Sequence, residues 1–309
     1  MKWLVGLVLA AGCWRGAATQ SDAIASAPTG CPPATGVRLV RWSGGPDDAE
    51  GEVTWRMVMS IKHTDIEDPM PPQPYPLQRI RNVPKQVVLY RHGAEGDFLP
   101  PCRAKVREGY RGIGGYGEHY EEIGVILDGC PDGAPESIAW ALDAPAPPTR
   151  CELVAAHEEP EAKAPELAAF APQPFGNDPR RRPAKYKREA ALRVARWKTE
   201  PVAYQLVTTF IEEPVPIDEC EVRSDDHQDL LLASKAGPVR VTQPHTTGDL
   251  HAVMVEDGAP RAVMLLAIGN YLIVPVDATG KPQKTIERTV SIPHEEDTYR
   301  FSLAPYCGP

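Results

Sequence analysis

Short runs of β-forming residues recur along almost the whole chain, and this repetition limits the fold more than any single motif. In the first half of the chain, strands are predicted at residues 37–42, 53–59, 86–90, 122–127, 137–142 and 151–155. In the second half, they are predicted at residues 202–210, 229–233, 239–242, 252–255, 262–268, 271–276, 289–292 and 299–303. Turns that contain Gly or Pro separate these runs, and Gly269-Asn270 indicates a tight hairpin. Many short strands joined in this way favour a mostly β fold, with two sandwich-like or barrel-like domains.

Three stretches interrupt the strand pattern. Residues 68–76 (DPMPPQPYP) are predicted to lack regular structure, because Pro has no N–H to donate and a fixed φ. Residues 157–179 are rich in Ala, Pro and Glu, which is typical of an interdomain linker. Residues 180–198 contain the strong helix formers of KREAALRVARWK, with apolar side chains at helical spacing. The sequence therefore predicts one helix between the two β domains.

The N-terminal residues have the layout of a secretory signal peptide. Lys2 supplies a positive charge, residues 3–11 (WLVGLVLAA) form an uninterrupted apolar run, and small residues precede Cys13. The run is about half as long as the roughly 20 residues that a membrane-spanning helix needs. We therefore expect a cleaved leader and not an anchor helix.

The small residues ahead of Cys13 resemble the lipobox of bacterial lipoproteins, although Ala10 stands where that family more often has Leu. The resemblance implies that Cys13 becomes the first mature residue and carries lipid such as palmitate. It also implies a protein of the bacterial cell envelope that is held to a membrane through this lipid. Trp14 at the second mature position implies the outer membrane.

The expected chain has five parts. These are a signal peptide (residues 1–12), a flexible tether (13–35), a β domain (36–155), a linker with a basic helix (156–199) and a second β domain (200–309).

The cysteines support an exported protein. Besides Cys13 there are six, an even number that suits an oxidising compartment: Cys31, Cys102, Cys130, Cys151, Cys220 and Cys307. No C-x-x-C pair of the kind that binds metals occurs among them. We predict three disulfides, and the first block with four cysteines and the second with two could each close their own. The sequence leaves the pairing open.

Charge and motif content exclude several classes of protein. The chain has 33 basic and 42 acidic side chains and a net charge of −9, which argues against a general nucleic-acid binder. No P-loop, G-x-S-x-G or H-E-x-x-H motif is present. The acidic loops lack the register of a calcium loop. No cofactor and no metal ion are expected.

One tripeptide suggests catalysis. Arg91-His92-Gly93 follows a strand-like run as VVLYRHG and resembles the phosphate-pocket tripeptide of the histidine phosphatase superfamily. The resemblance implies that His92 is a nucleophile, that Arg91 binds phosphate, and that the fold is α/β with several helices. Ala94-Glu95 departs from the family, and His245 is the candidate for its second histidine. The alternative is that Arg91 and His92 end an exposed strand at a glycine turn.

Two further features have open interpretations. Residues 112–117 match G-x-G-x-x-G, but neither an apolar strand before them nor a helix after them is predicted, so a hairpin loop is favoured over a dinucleotide site. Tyr110, Tyr116 and Tyr120 in that loop could stack on a sugar or a peptide. The basic residues between 180 and 198 could be solvated or paired within the chain, bind an acidic partner, or lie on anionic lipid.

The sequence thus favours an exported, lipid-tethered module of the cell envelope with a non-catalytic binding or structural role. Its expected partners are the membrane, through the N-terminal lipid, and an envelope protein or glycan. The alternative is a periplasmic or surface hydrolase, phosphatase-like through Arg91 and His92.

Overall fold

A computed structural model describes most of the middle and C-terminal parts of the chain. The described residues are 29–43, 53–66, 70–114, 120–134, 137–164, 167, 186–212, 224–234, 237–241, 248–267 and 270–289. Strands account for 64 % of them, and no helix among them reaches seven residues. The predicted mostly β fold is confirmed.

Seven strands form the first sheet: β1 (Val37–Ser43), β2 (Thr54–His63), β3 (Met70–Tyr75), β4 (Gln86–Arg91), β5 (Cys102–Gly114), β6 (Tyr120–Asp128) and β7 (Ile138–Leu142). Nine strands form the second: β8 (Cys151–Glu159), β9 (Tyr186–Trp197), β10 (Glu200–Glu212), β11 (Ser224–Leu232), β12 (Val239–Arg240), β13 (Asp249–Glu256), β14 (Ala259–Ala267), β15 (Asn270–Pro275) and β16 (Ile286–Thr289). The described helices are short 3₁₀ turns at Ala34–Gly36, Leu77–Arg79 and Glu161–Lys163.

The first sheet closes into a barrel of six strands. Their order is β5-β4-β7-β1-β2-β6, and β6 pairs back onto β5. Because successive side chains of a strand point to opposite faces, every strand contributes alternate residues to the barrel interior. These residues form one apolar cluster: Val40, Trp42, Trp55, Met57, Val87, Leu89, Ala104, Val125, Leu127, Ala139 and Ala141.

The second sheet is open and curls into a half-barrel. Its order is β12-β11-β10-β9-β8-β13-β14-β15-β16, and every pairing is antiparallel. The β13–β14 hairpin turns through Asp257-Gly258, which have φ values of 51° and 85°. Two successive positive φ values are the signature of a type I′ turn. The hairpin predicted around Gly269-Asn270 is confirmed by the pairing of β14 with β15.

Barrel and half-barrel share one buried apolar cluster. Val88, Trp140 and Leu142 of the barrel pack in this cluster with Met254 and Met264 of the half-barrel. Burying each large apolar side chain contributes about 1.5–3 kcal/mol to stability. The two sheets therefore stabilise one another through a common core.

The predicted helix at residues 180–198 is wrong where the structure describes it, because Tyr186–Trp197 form strand β9. Both edges of β9 are paired, with β8 on one side and β10 on the other. Leu192 and Val194 are buried, and Arg193 between them is only half-buried, which is the period of a strand. Helix propensity is a weak preference that such pairing and burial override.

Two other boundaries differ from the prediction. Met70–Tyr75 form strand β3 despite three prolines. β3 is the edge strand of the first sheet and pairs with β5, and an edge strand tolerates residues that have no N–H to donate. The first sheet ends at Leu142, and β8 pairs with β9 and β13. The division expected at residue 155 therefore falls inside a strand of the second sheet.

Candidate functional site

A cleft of about 260 Å³ opens at one end of the barrel. Two loops line it: residues 91–99, which begin at the last residue of β4, and residues 132–134 and 137–138, which lead into β7. Because β4 and β7 are antiparallel neighbours, the end of one lies beside the start of the other. The fold therefore brings together two loops that are distant in sequence.

Hydrogen bonds hold both loops in place. Leu99 N–H donates to the carbonyl of Arg91 at 2.8 Å, and Gly93 N–H donates to that of Asp97 at 2.8 Å. On the other side, Trp42 N–H donates to the carbonyl of Ser137 at 2.8 Å. The Trp55 indole, which also lines the cleft, donates to the carbonyl of Pro131 at 2.9 Å. The walls of the cleft are therefore formed before any ligand arrives.

His92 lies in this wall in a defined tautomer. Its Nδ1 lies 2.9 Å from the carbonyl oxygen of Gly96, which only accepts, so Nδ1 carries the proton. Nε2 is then an acceptor, and it is buried with no hydrogen-bond partner among the described residues. Burial lowers the pKa of His92, and His157 nearby lowers it further. His92 is therefore held as a neutral imidazole.

A second histidine contacts the first. The rings of His92 and His251 are 4.4 Å apart, and the Trp140 indole donates to Nδ1 of His251 at 2.8 Å. Since an indole N–H only donates, the proton of neutral His251 is on Nε2. Burial lowers the pKa of His251 well below its usual value, with His92 and Arg193 as further causes. The two imidazoles therefore carry their protons on different ring nitrogens.

Two other residues that line the cleft have polar atoms without a partner in the described part of the chain. Nε of Arg91 and Oγ of Ser137 are buried without a hydrogen bond there, like Nε2 of His92. Within the described residues, Arg91 has no carboxylate partner. Leu99, beside them, has 39 % of its surface exposed. Unpaired buried polar atoms are costly to folding, and so three in one cleft are a binding-site signal.

Sequence reasoning identified part of this site. Arg91 and His92 were candidates and lie together in the cleft. Ser137 and His251 were missed, because each lies alone in a strand-like run without a motif. His245, the candidate second histidine, lies outside the described residues. The described residues also lack the several helices of the α/β fold that the phosphatase resemblance implies, so the resemblance does not extend to the fold.

Four of the predicted disulfide cysteines are paired. Cys31 is bonded to Cys151, and Cys102 to Cys130. The first bond ties the segment before β1 to the start of β8, and the second closes the base of the β5–β6 hairpin. Both pairs lie within the group of four cysteines expected to pair among themselves. Cys13, Cys220 and Cys307 lie outside the described residues.

Of the three tyrosines predicted to stack on a ligand, Tyr110 is not accessible. That side chain is only 2 % exposed, and its hydroxyl donates to Glu122 within the barrel wall. Tyr120, at the start of β6, packs edge-to-face on His63 at 5.9 Å. Tyr116 lies outside the described residues. Residues 102–114 belong to β5, which leads into β6, as expected for a hairpin and not for a dinucleotide site.

Basic residues of β9 pair with acidic residues of the same chain. Arg188 binds Glu161, which lies in a 3₁₀ turn, at 2.7 Å. Arg196 binds Glu159 of β8 through two hydrogen bonds of 2.7 and 2.8 Å. Hydrogen bonds from these guanidinium groups lower the pKa of Glu159 and Glu161. Of the three interpretations of the basic segment, pairing within the chain is the one that these contacts support.

In comparisons with known proteins, no family model, no curated protein and no solved structure matches the chain. Among the described residues, no helix is both long and apolar enough to cross a lipid bilayer. The same residues contain no group of three or more His, Cys, Asp or Glu that could hold a metal ion.

Proposed function

We propose that this protein is an exported lipoprotein of the bacterial cell envelope that acts as a non-catalytic binding or structural module. The observation that carries the proposal is the pair of disulfides, Cys31–Cys151 and Cys102–Cys130. Structural disulfides persist in oxidising compartments and are rare in the cytosol. They agree with the signal-peptide layout of residues 1–12 and with lipidation of Cys13.

The preference for binding over catalysis rests on the cleft. An activated hydroxyl nucleophile needs a hydrogen bond to a base. Ser137 and His92 both line the cleft, and among the described residues neither Oγ of Ser137 nor Nε2 of His92 has a hydrogen-bond partner. The cleft therefore offers a binding surface without an assembled catalytic pair.

Location is tested on the full chain expressed in a bacterial host. Labelled palmitate should enter the wild-type protein and not the Cys13→Ser variant, and mass spectrometry should find a mature N-terminus at a lipidated Cys13. Ser26→Ala, a substitution in the predicted tether, is the matched control that keeps the label. An uncut leader, or a mature start beyond Cys13 without lipid, contradicts the proposal.

A phosphatase-like hydrolase is the second candidate. It is favoured by one observation: the contact of Nδ1 with the Gly96 carbonyl leaves the lone pair of His92 on Nε2, as a nucleophile requires, and Arg91 lines the same cleft. Release of nitrophenol from p-nitrophenyl phosphate, compared between wild type and His92→Ala, tests it. Turnover that His92→Ala abolishes supports the hydrolase, and equal background rates in both proteins exclude this role for His92.

A further inference from the structure

From a pocket between the barrel and the half-barrel, we infer that the protein binds the phosphate group of a phosphate monoester, with Arg288 and Ser60 as donors and Arg38 as a second positive charge. The pocket shares no lining residue with the cleft at the end of the barrel. The inference therefore goes beyond the proposed function and does not depend on where the protein is located. It rests on the place where the pocket forms, on unpaired positive charge beside it, and on the match between its donors and phosphate oxygens.

The pocket forms where β1 and β2 separate. The pairing of these strands stops at Met57, and beyond it the described part of β2 pairs with β6 alone. The N–H of Leu39 in β1 donates to the hydroxyl of Tyr271 in β15. The gap leaves a pocket of about 200 Å³ that residues 58–61 line together with Tyr271 and Arg288. Since sites for drug-sized ligands have roughly 300–1,000 Å³, this pocket suits one chemical group of a ligand.

Arg288 of β16 is a donor of this pocket and is held in position. Its Nη2 donates to the carbonyl of Thr35 at 2.9 Å, at the protein surface. A guanidinium has five N–H groups, so this bond leaves others for a ligand. Glu287, the preceding residue, points to the opposite face of the sheet and accepts a hydrogen bond from Asn270 at 2.7 Å. The adjacent carboxylate therefore does not neutralise Arg288.

A second arginine lies near the first. Arg38 follows Thr35 by three residues, so the hydrogen bond from Arg288 to Thr35 brings the guanidinium of Arg288 to the start of β1. Burial lowers the pKa of Arg38, and the charge of Arg288 lowers it further. The exposed carboxylate of Asp143 raises it, as the weakest cause. In the part of the chain that the structure describes, neither arginine forms an ion pair with a carboxylate. A bound anion would relieve the repulsion between these two charges.

The donors and charges suit a phosphate monoester better than a carboxylate. A phosphate monoester carries about −1.5 to −2 charges near pH 7 and has three strong acceptor oxygens. The charges of Arg38 and Arg288 balance such a group, whereas a carboxylate balances only one of them. The planar fork of a guanidinium matches the geometry of phosphate oxygens. The exposed Ser60, whose hydroxyl can donate, lines the same pocket.

Isothermal titration calorimetry on the intact, disulfide-bonded protein tests the inference. Inorganic phosphate, glycerol 3-phosphate and acetate are titrated separately at constant ionic strength and at pH about 7.5, where the monoester is a dianion. We expect both phosphates to bind saturably and acetate to bind at least tenfold more weakly. Phosphate binding should weaken tenfold or more, about 1.4 kcal/mol, in Arg288→Gln and in Arg38→Gln. Arg103→Gln, which removes an exposed arginine outside the pocket, should bind like the wild type.

A fourth probe distinguishes two sources of the phosphate group, a soluble ester and a lipid headgroup. Dihexanoylphosphatidic acid, used below its micelle concentration, carries the same monoester on a short-chain lipid. Binding tighter than that of glycerol 3-phosphate, and lost in Arg288→Gln, would support a lipid ligand. Equal or weaker binding would support a soluble phosphate ester. Both results uphold a phosphate site.

The remaining outcomes overturn the inference. Acetate that binds as tightly as phosphate would indicate a general anion site, and binding of no probe would leave the pocket without this role. Undiminished binding in both arginine variants would place the site elsewhere. Phosphate binding that appears only after Glu295, Glu296 and Asp297 are changed to their amides would mean that the chain fills the pocket itself. Each variant is first checked for a wild-type circular dichroism spectrum. Ser60→Glu, which adds a negative charge at an exposed position, should also abolish binding and replaces an arginine variant that fails to fold.

Discussion

The indole of Trp140 in β7 donates a hydrogen bond of 2.8 Å to Nδ1 of His251 in β13, and so joins the barrel to the half-barrel. The acceptor role of Nδ1 requires a neutral His251. Protonation of His251 would place a second N–H against the indole N–H. The contact between the two sheets therefore depends on the protonation state of one imidazole.

Stability is expected to fall in mild acid. The pKa values of His92 and His251 are both lowered, first by burial, so the unfolded chain binds protons below pH about 6.5 before the folded one does. The contribution of the two neutral histidines to stability is fully present above that pH. It is lost as the pH falls towards the lowered pKa values of the folded protein. Urea unfolding between pH about 7.5 and about 5 measures this slope.

Matched variants identify the groups responsible for that slope. His251→Asn keeps an acceptor for Trp140 and does not titrate, so its stability should depend less on pH. His63→Asn removes an exposed histidine from β2 and should leave the wild-type slope. His157 and Asp97 also act on His92, and Arg193 acts on His251, and all three are unchanged in these variants. Identical slopes in all three proteins would refute the assignment.

Removal of either disulfide should destabilise the fold. Cys31–Cys151 closes a sequence separation of 120, and Cys102–Cys130 one of 28. Paired Cys→Ser changes should each cost about 2–5 kcal/mol, with the longer loop costing about 1 kcal/mol more by loop entropy. Urea unfolding measures the loss, and peptide mapping of unreduced protein checks the pairing. A disulfide that joins Cys31 or Cys151 to Cys102 or Cys130 would contradict this pairing.

Two neighbouring glutamates of β6 should differ sharply in their contribution to the free energy of unfolding. Glu122 binds Arg41 at 2.6 Å and accepts from Tyr110, with side-chain exposures of 16 % for Arg41 and 7 % for Glu122. Glu121 binds Arg111, whose side chain is 42 % exposed. Glu122→Gln removes the charge of the buried carboxylate that pairs with the largely buried Arg41 and should cost about 3–5 kcal/mol. Glu121→Gln is the control and should cost about 0–1 kcal/mol.

Urea unfolding of the two glutamine variants measures this difference. Burial, and then the charge of Glu122, raise the pKa of Tyr110 well above its usual value, so this hydroxyl stays protonated as a donor. Tyr110→Phe should therefore destabilise the barrel as well. Equal losses in Glu122→Gln and Glu121→Gln would mean that the buried network does not stabilise the barrel.

The strand state of β9 can be checked by cysteine labelling. Leu192 and Val194 are 1 % exposed, and the Arg193 side chain is 24 % exposed. In unreduced protein, thiols at Leu192→Cys and Val194→Cys should react more than about tenfold more slowly than one at Arg193→Cys. A helix would turn residues 192 and 194 to different faces, so fast labelling of either one would support the helix.

Local sequence signals predicted most of the strands but not the state of β9. Runs of β-branched, aromatic and other apolar residues mark β2, β4 and β10, and most residues of these runs are buried. The segment that becomes β9 has helix formers and many charges, and nothing within it shows that β8 and β10 will occupy both of its edges. The prolines of residues 68–76 led to a wrong prediction of irregular structure for a similar reason. Whether a strand lies at the edge of a sheet depends on the whole sheet and cannot be read from the segment itself.

The candidate site was predicted only in part, for a related reason. Arg91 and His92 follow one strand and could be read together as a motif. Ser137 lies in the loop between β6 and β7 and joins the cleft lining only when the barrel closes. His251 lies within β13 and meets His92 only when the barrel packs against the half-barrel.

By itself, the sequence determined the β-rich character of the chain and an even set of cysteines that can form disulfides, because both follow from the types of residue present and from their short-range order. Tertiary structure decided which strands became neighbours, which cysteines met and where unpaired polar atoms gathered. These outcomes depend on contacts between residues far apart in the chain, whose free energy is gained only when both sheets have formed.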